Sequence, residues 1–256
     1  MTLVIAHRGN SSAAPENTLA SFDSAIERGV TLVECDVQMT ADGHIVVIHD
    51  PTLDRTSDRA GDVRTLTLAE VRAADVSCPK TFGEKFSPQR VATLGELLAH
   101  LKGRARLMLE IKKESSRPET DDFERRIAAE IVRSGVSVSP DLETDVALIS
   151  FSTLVLERMA ALLPDAPRGH LFYRDPEEVI FAAAAKVKAT FIMPEKDHLS
   201  PGLLERAKQK GFGVATWVCD DPVEFRELAK LGLLGIGTNR PADMVEATAP
   251  PPSPRA

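Results

Sequence analysis

Residues 32–50, LVECDVQMTADGHIVVIHD, put two acids and a histidine where an otherwise apolar pattern predicts buried positions. Successive side chains of a strand point to opposite faces, so Glu34 and Asp36 share one face while Val33, Cys35 and Val37 share the other. Two carboxylates buried that close repel one another unless something cationic sits between them, and a divalent metal is the economical answer. An isolated Glu-x-Asp on a strand is usually a solvated edge, so the metal reading depends on the rest of the chain. Ala41-Asp42-Gly43 predicts a tight turn, and Ile45 to Ile48 a returning strand that delivers His49 and Asp50 back towards the acids.

Two other segments repeat this design. The apolar run Leu3 to Ala6 ends in His7-Arg8-Gly9, and Leu107-Met108-Leu109 ends in Glu110-Ile111-Lys112, with Glu110 and Lys112 again on one face. The strand ends together offer three carboxylates, two histidines, an arginine and a lysine, a set suited to a metal bound beside a phosphate.

At 256 residues the chain can bury a large core, and one barrel of about 250 residues is as compatible with that length as two smaller domains. Its 43% hydrophobic and 27% charged residues are those of a soluble enzyme. A net charge of −7 without any basic cluster excludes a nucleic-acid surface, so an anionic substrate has to be attracted locally, by the metal, Arg8 and Lys112. The start, MTLVIAHRG, lacks a basic region followed by a long apolar core, and no apolar run approaches the ~20 residues of a membrane helix. A soluble, cytoplasmic protein with no stable membrane insertion is therefore expected. Cys35, Cys78 and Cys219 form neither a metal spacing nor an even disulfide set, which predicts reduced thiols. The sequence leaves monomer and homo-oligomer open.

Along the chain, strands alternate with helices. A helix is predicted from Asn17 or Thr18 to Gly29, then the hairpin of residues 32–50. Residues 51–90 break the rhythm with a polar, Pro- and Thr-rich insertion holding one helix, Thr67 to Ala74, behind a Thr67-x-x-Glu70 capping box. Alternation resumes with a helix at Thr93 to Leu101 and a strand at Arg106 to Lys112. It continues through strands at Val146 to Phe151, Gly169 to Tyr173, Thr190 to Met193, Gly213 to Val218 and Leu234 to Thr238. About eight such units most simply close into an α/β fold, a (β/α)8 TIM barrel, whose active site lies at the carboxyl ends of the strands. A doubly wound sheet would want a glycine-rich turn after the first strand, and His7-Arg8-Gly9-Asn10 does not supply one. The barrel is expected to span residues 1–248, with the insertion over its mouth and a disordered proline-rich tail at 249–256.

The motifs His7-Arg8-Gly9, Pro15-Glu16-Asn17-Thr18, Glu34-Cys35-Asp36, His49-Asp50 and Leu109-Glu110-Ile111-Lys112 resemble, in order and spacing, those of the glycerophosphodiester phosphodiesterase family. Trp217 and Thr238-Asn239-Arg240-Pro241 extend the resemblance over residues 3 to about 245. It implies a small insertion after the second strand and metal-dependent hydrolysis of small-molecule glycerophosphodiesters to glycerol 3-phosphate and an alcohol. Glu34, Asp36 and Glu110 would bind Mg²⁺ or Ca²⁺, since all-oxygen ligands suit a hard cation. His7 and His49 would be the base and acid pair, in an order the sequence leaves open. Arg8 would clamp the phosphate with Lys112 as partner, Glu16 would orient Arg8 or touch the glycerol, and Trp217 would wall the glycerol moiety. Ser150 and Phe151 are weaker candidates of the same kind, and His44, His100, His170 and His198 are read as structural or solvated.

One position departs from the family, which commonly has Asp where this chain has Asn239, so no charge is available there. Two other readings compete. A lysophospholipid or phospholipase D-like phosphodiesterase would want an apolar approach surface, for which the insertion offers only Phe82 and Phe86. A catalytically dead phosphate-binding barrel would need an acid, a base or a metal ligand to be missing, and none is.

Overall fold

The computed structural model describes residues 2–116, 119–141 and 143–248; the tail expected to be disordered lies outside them. Nine strands are formed among these residues: β1 (Leu3–His7), β2 (Leu32–Met39), β3 (Ile45–Val47), β4 (Arg106–Ile111), β5 (Val146–Ser150), β6 (Arg168–Phe172), β7 (Phe191–Pro194), β8 (Gly213–Val214) and β9 (Gly235–Thr238). Eight of them run parallel in the order β8-β7-β6-β5-β4-β2-β1-β9, while β3 folds back antiparallel on β2. The ring closes between β8 and β9. Thr216 donates its N–H to the Gly235 carbonyl at 3.1 Å and accepts the Gly237 N–H at 2.8 Å. The strand expected over Gly213 to Val218 is regular only at Gly213–Val214, because beyond it single bridges alternate between the two neighbours, Thr216 to Ile236 and Trp217 to Glu195.

Helix α1 (Leu19–Ile26) begins the outer ring, α2 (Leu68–Arg72) and α3 (Pro79–Phe82) lie in the insertion, and α4 (Leu94–Leu101), α5 (Asp122–Ser134), α6 (Thr153–Leu162), α7 (Glu177–Lys186), α8 (Pro201–Gln209), α9 (Pro222–Ala229) and α10 (Pro241–Thr248) complete the ring. Their starts are written locally. Thr67 with Glu70 and Thr93 with Glu96 form full capping boxes, and Ser200 and Asp221 cap helices whose first residue is proline. Asp175-Pro176 behaves differently, since Pro176 itself is the cap residue and no side chain caps α7. α3 escaped the sequence pattern because four residues are too few to show a helical period.

Strand alternation sorts the core into two layers. Outward residues such as Val33, Cys35, Val37, Leu107 and Leu109 pack under the helices. Inward residues Ile5, Leu32, Met108, Ile149, Leu171, Phe191 and Met193 fill the barrel interior. The insertion has a small apolar cluster of its own, in which Leu53, Val63, Val71 and Val76 close over Val46 and Ile48 of the hairpin. It is a packed excursion anchored to β3, and it stands beside the barrel mouth.

Gly169 shows how tightly the interior is filled. A Cβ built there would lie 2.1 Å from the Phe191 ring, so glycine is what lets that ring enter the barrel. Gly169→Ala is expected to cost about 1–3 kcal/mol through overpacking, read as a lower urea midpoint with an unchanged slope.

Candidate active site

The parallel register sets the site's floor plan. β1 pairs with β2 so that His7 is level with Glu34, and β2 pairs with β4 so that Asp36 is level with Glu110. On each strand the inward face passes from apolar to polar at the carboxyl end: Ile5 to His7, Leu32 to Glu34 and Asp36, Met108 to Glu110 and Lys112. The barrel interior therefore ends in a polar layer. Ligand oxygens of Glu34, Asp36 and Glu110 lie within 4.8 Å of one another, and all three residues are buried.

Two cations stabilise this arrangement. Lys112 Nζ reaches Asp36 Oδ1 at 2.8 Å and Glu110 Oε1 at 2.6 Å. Arg8 Nε approaches Asp36 Oδ2 at 3.2 Å, and the Arg8 backbone N–H donates to Glu34 Oε2 at 2.9 Å. That amide is aimed by left-handed backbone at Arg8 (φ 57°) followed by Gly9 (φ 82°), where a Cβ would collide with Ser21. Asn17, also at positive φ, donates its side-chain N–H to Asp36 Oδ2 at 2.8 Å.

The three acids respond differently to burial. Burial alone would raise the Asp36 carboxyl, but the Lys112 ammonium and the Arg8 guanidinium outweigh it and hold it below the usual range. Glu34 goes the other way, raised well above its ordinary value by burial and then by the charges of Asp36 and Glu110. Burial and Asp36 also push Glu110 up to about 7. Glu34 Oε1 is buried without a hydrogen-bond partner among the described residues. An orphaned acceptor in an all-carboxylate set is what a hard divalent cation would satisfy, so the residues present fit Mg²⁺ or Ca²⁺.

His7 and His49 flank this layer, and each has one ring nitrogen engaged. His7 Nδ1 lies 2.8 Å from Asn239 Oδ1, and His49 Nδ1 lies 2.6 Å from Asp50 Oδ1. Burial, reinforced by the Arg8 charge, lowers His7 to about 4. Burial also lowers His49, although Asp36 and Asp50 oppose it. Glu16 accepts from Arg8 Nη1 at 3.0 Å and from both terminal nitrogens of Arg55, at 2.6 and 2.8 Å. Arg55 also donates to Asp50 Oδ2 at 2.6 Å, which ties the insertion to both the arginine and the histidine sides of the site.

A cavity of about 170 Å³ lies over the acids. One wall is polar, with His7, Arg8, Glu34, His49, Glu110 and Lys112, and the opposite wall is apolar, with Phe151, Tyr173 and Trp217. The three rings pack together, Phe151 stacked on Tyr173 and edge-on to Trp217 at centroid distances of 5.0 and 5.6 Å. Trp217 donates its indole N–H to the Met193 carbonyl at 3.1 Å, which fixes its ring at the mouth. The space is below the roughly 300–1,000 Å³ of drug-sized sites, so it suits a small ligand with a charged and an apolar part.

The residues expected to hold the metal, move protons and contact the substrate thus meet at one end of the barrel, Asp36 lying fully buried behind the others. Ser150 does not face the ligand space, since its hydroxyl donates to the Ile111 carbonyl at 2.8 Å. His44, His100, His170 and His198 do not line the cavity. Arg55, Asn17, Tyr173 and Asp220, which accepts from the Asn239 amide at 2.7 Å, were missed. Asn17 stood within the Pro-Glu-Asn-Thr motif, but nothing in the sequence connects Arg55 to Glu16 across 39 positions.

A parallel barrel ending in buried acids, two histidines and two fixed cations has the groups that a phosphoric ester hydrolase needs. Comparison with known proteins is more specific. The model of the glycerophosphoryl diester phosphodiesterase family matches residues 7–243. A glycerophosphodiester phosphodiesterase of Caldanaerobacter subterraneus is 33% identical over 244 residues, 95% of this chain and 96% of that protein. A probable glycerophosphodiester phosphodiesterase 1 of Mycobacterium tuberculosis is 32% identical over 93% of this chain and 89% of its own length. An Oleispira antarctica phosphodiesterase, solved in complex with the product sn-glycerol-3-phosphate, superposes with a TM-score of 0.82 at 26% identity, covering 96% of each chain. The chain belongs to the glycerophosphoryl diester phosphodiesterase family, and it is a phosphoric diester hydrolase.

The raised Glu34 carboxyl fixes the sign of a stability test. Its ordinary value is about 4.5, so in metal-free protein above that pH ionisation favours the unfolded chain, and stability falls as pH rises. Glu34→Gln should therefore raise the Tm in chelator, increasingly from pH 5 to 8. Adding Mg²⁺ or Ca²⁺ should raise the wild-type Tm more than that of the variant. Thermal melts across this range check both.

Proposed function

We propose that the enzyme hydrolyses glycerophosphodiesters to glycerol 3-phosphate and an alcohol, with His7 and His49 moving protons and Glu34, Asp36 and Glu110 holding Mg²⁺ or Ca²⁺. The observation that carries this reading is the single cavity in which a cationic and acidic wall faces an aromatic one. The product bound by the Oleispira relative supports the choice of glycerol 3-phosphate. Phe82 and Phe86 pack edge-on against each other at 5.3 Å, and among the described residues Tyr173 is the one exposed large apolar side chain of the cavity, which gives a lysophospholipid tail little to lie on. No helix among the described residues is long and apolar enough to cross a membrane, and the three cysteines are buried and unpaired, which suits a cytoplasmic enzyme.

In this mechanism Arg8 and Lys112 neutralise the phosphate oxygens from fixed positions, with Arg8 oriented by Glu16. The aromatic wall, Trp217 above all, packs against the glycerol carbons. Glu34, Asp36 and Glu110 would hold a divalent cation, which would supply Lewis-acid stabilisation of the charge that builds on the non-bridging oxygens. One histidine accepts the proton of the substrate's glycerol 2-hydroxyl as its oxygen attacks phosphorus, and the other protonates the departing alkoxide. The new P–O bond closes a cyclic phosphate, which water then opens with the proton transfers reversed. The adjacent hydroxyl is preferred to external water because it is already held at high effective concentration.

His7→Ala and His49→Ala should each lower kcat by roughly 10² to 10⁴ with a smaller change in KM. Alanine at Glu34, Asp36 or Glu110 should abolish both metal binding and turnover. Wild-type turnover in any of these variants, or in chelator, would remove that group from the mechanism.

A substrate whose glycerol 2-hydroxyl is replaced by hydrogen should bind yet turn over very slowly, and a cyclic phosphate should be trapped early with the parent diester. Equal rates for analogue and parent, with no cyclic product, would decide for direct attack by water.

A further inference from the structure

We propose that Asn239 is a positioning residue that holds His7 as its Nδ1–H tautomer, and that Asp220 fixes the orientation of the Asn239 amide. The inference rests on His7 being a proton-transfer group, as in the reaction proposed above.

The amide has two faces, and only one can meet a carboxylate. Asp220 Oδ2 lies 2.7 Å from Asn239 Nδ2, and an ionised carboxylate only accepts, so the NH₂ side of the amide points at Asp220. The Asn239 carbonyl oxygen must then face His7, 2.8 Å from Nδ1. An amide oxygen also only accepts, so Nδ1 carries the hydrogen, and Nε2 is left as the ring atom able to exchange a proton with a substrate in the cavity that His7 lines. Four further contacts surround the unit. Asp220 Oδ1 accepts from the Asn239 backbone N–H at 2.7 Å and from Thr238 Oγ1 at 2.8 Å. Ser11 Oγ lies 3.1 Å from Asn239 Oδ1 and donates to the His7 carbonyl at 2.9 Å.

This arrangement explains why an amide stands at position 239 in this chain. An aspartate there would set two carboxylates face to face at the present 2.7 Å separation. Nor does the bond to His7 commit the ring to one role. Oδ1 accepts from Nδ1–H whether the ring is neutral or charged, so it supports a histidine that takes up a proton in one step and returns it in the next.

The test uses the full-length enzyme labelled with ¹⁵N-histidine. The chain has six histidines, so the His7 signals can be assigned by difference against His7→Ala. In Asp220→Asn the two NH₂ groups would oppose each other, the Asn239 amide would turn over, and His7 would change to the Nε2–H tautomer. We expect kcat to fall roughly 10- to 100-fold with KM near the wild-type value. Asn239→Asp should also lower kcat. The double variant Asp220→Asn/Asn239→Asp exchanges amide and carboxylate, restores a donor facing an acceptor, and should recover both kcat and the Nδ1–H signal. An unchanged tautomer in Asp220→Asn, a changed tautomer with kcat intact, or a folded double variant without recovery would each overturn the proposal. His7→Ala separates the two layers of inference: full turnover there sinks the proton-transfer reading, whereas the ¹⁵N signals decide the tautomer whatever the activity.

Discussion

The site depends on the burial of three carboxylates within ligand-sharing distance of one another. Isolated, such a cluster would be among the most costly things a barrel could enclose, because desolvation and like-charge repulsion act in the same direction. Lys112 bridges Asp36 and Glu110, and Arg8 meets Asp36 with its side chain and Glu34 with its backbone N–H. The compensation is unequal. Asp36 is held below the usual carboxylate range, while one buried Glu34 oxygen has no partner among the described residues. The fold thus stores an electrostatic deficit at the point where a cation would relieve it.

Around that centre, the histidines are held by partners from different parts of the molecule. His7 leans on Asn239 at the end of β9, 232 positions away, and His49 on its sequence neighbour Asp50. Arg55 then joins Asp50 to Glu16, and Glu16 to Arg8. A single exposed ion pair is worth little, yet this chain of forked contacts fixes several groups at once. The insertion therefore acts on the site through a guanidinium rather than by covering it with apolar surface.

Much of this was legible in the chain. Strand parity put Glu34 with Asp36 and Glu110 with Lys112, and the capping boxes at Thr67 and Thr93 started their helices where the pattern said. These are local rules with a range of a few residues. What they missed were pairings with no local signature: Arg55 with Glu16, Asp220 with Asn239, and Phe151 with Tyr173. The end of β8 was misjudged for a related reason, since its bridges beyond Val214 alternate between two neighbours and propensity is blind to both.

The sequence alone determined the alternation of strands and helices, the switch from apolar to polar along the inward face of β1, β2 and β4, and hence which residues would gather at the carboxyl ends. Backbone geometry enforces that outcome, because a period of two leaves each side chain only one face to occupy. Tertiary structure alone decided how the acids share their cations and which way each histidine ring presents its nitrogens. Those depend on ångström-scale distances between strands that closure of the barrel sets, and electrostatic and hydrogen-bond energies at short range change too steeply with distance to be read from residue order.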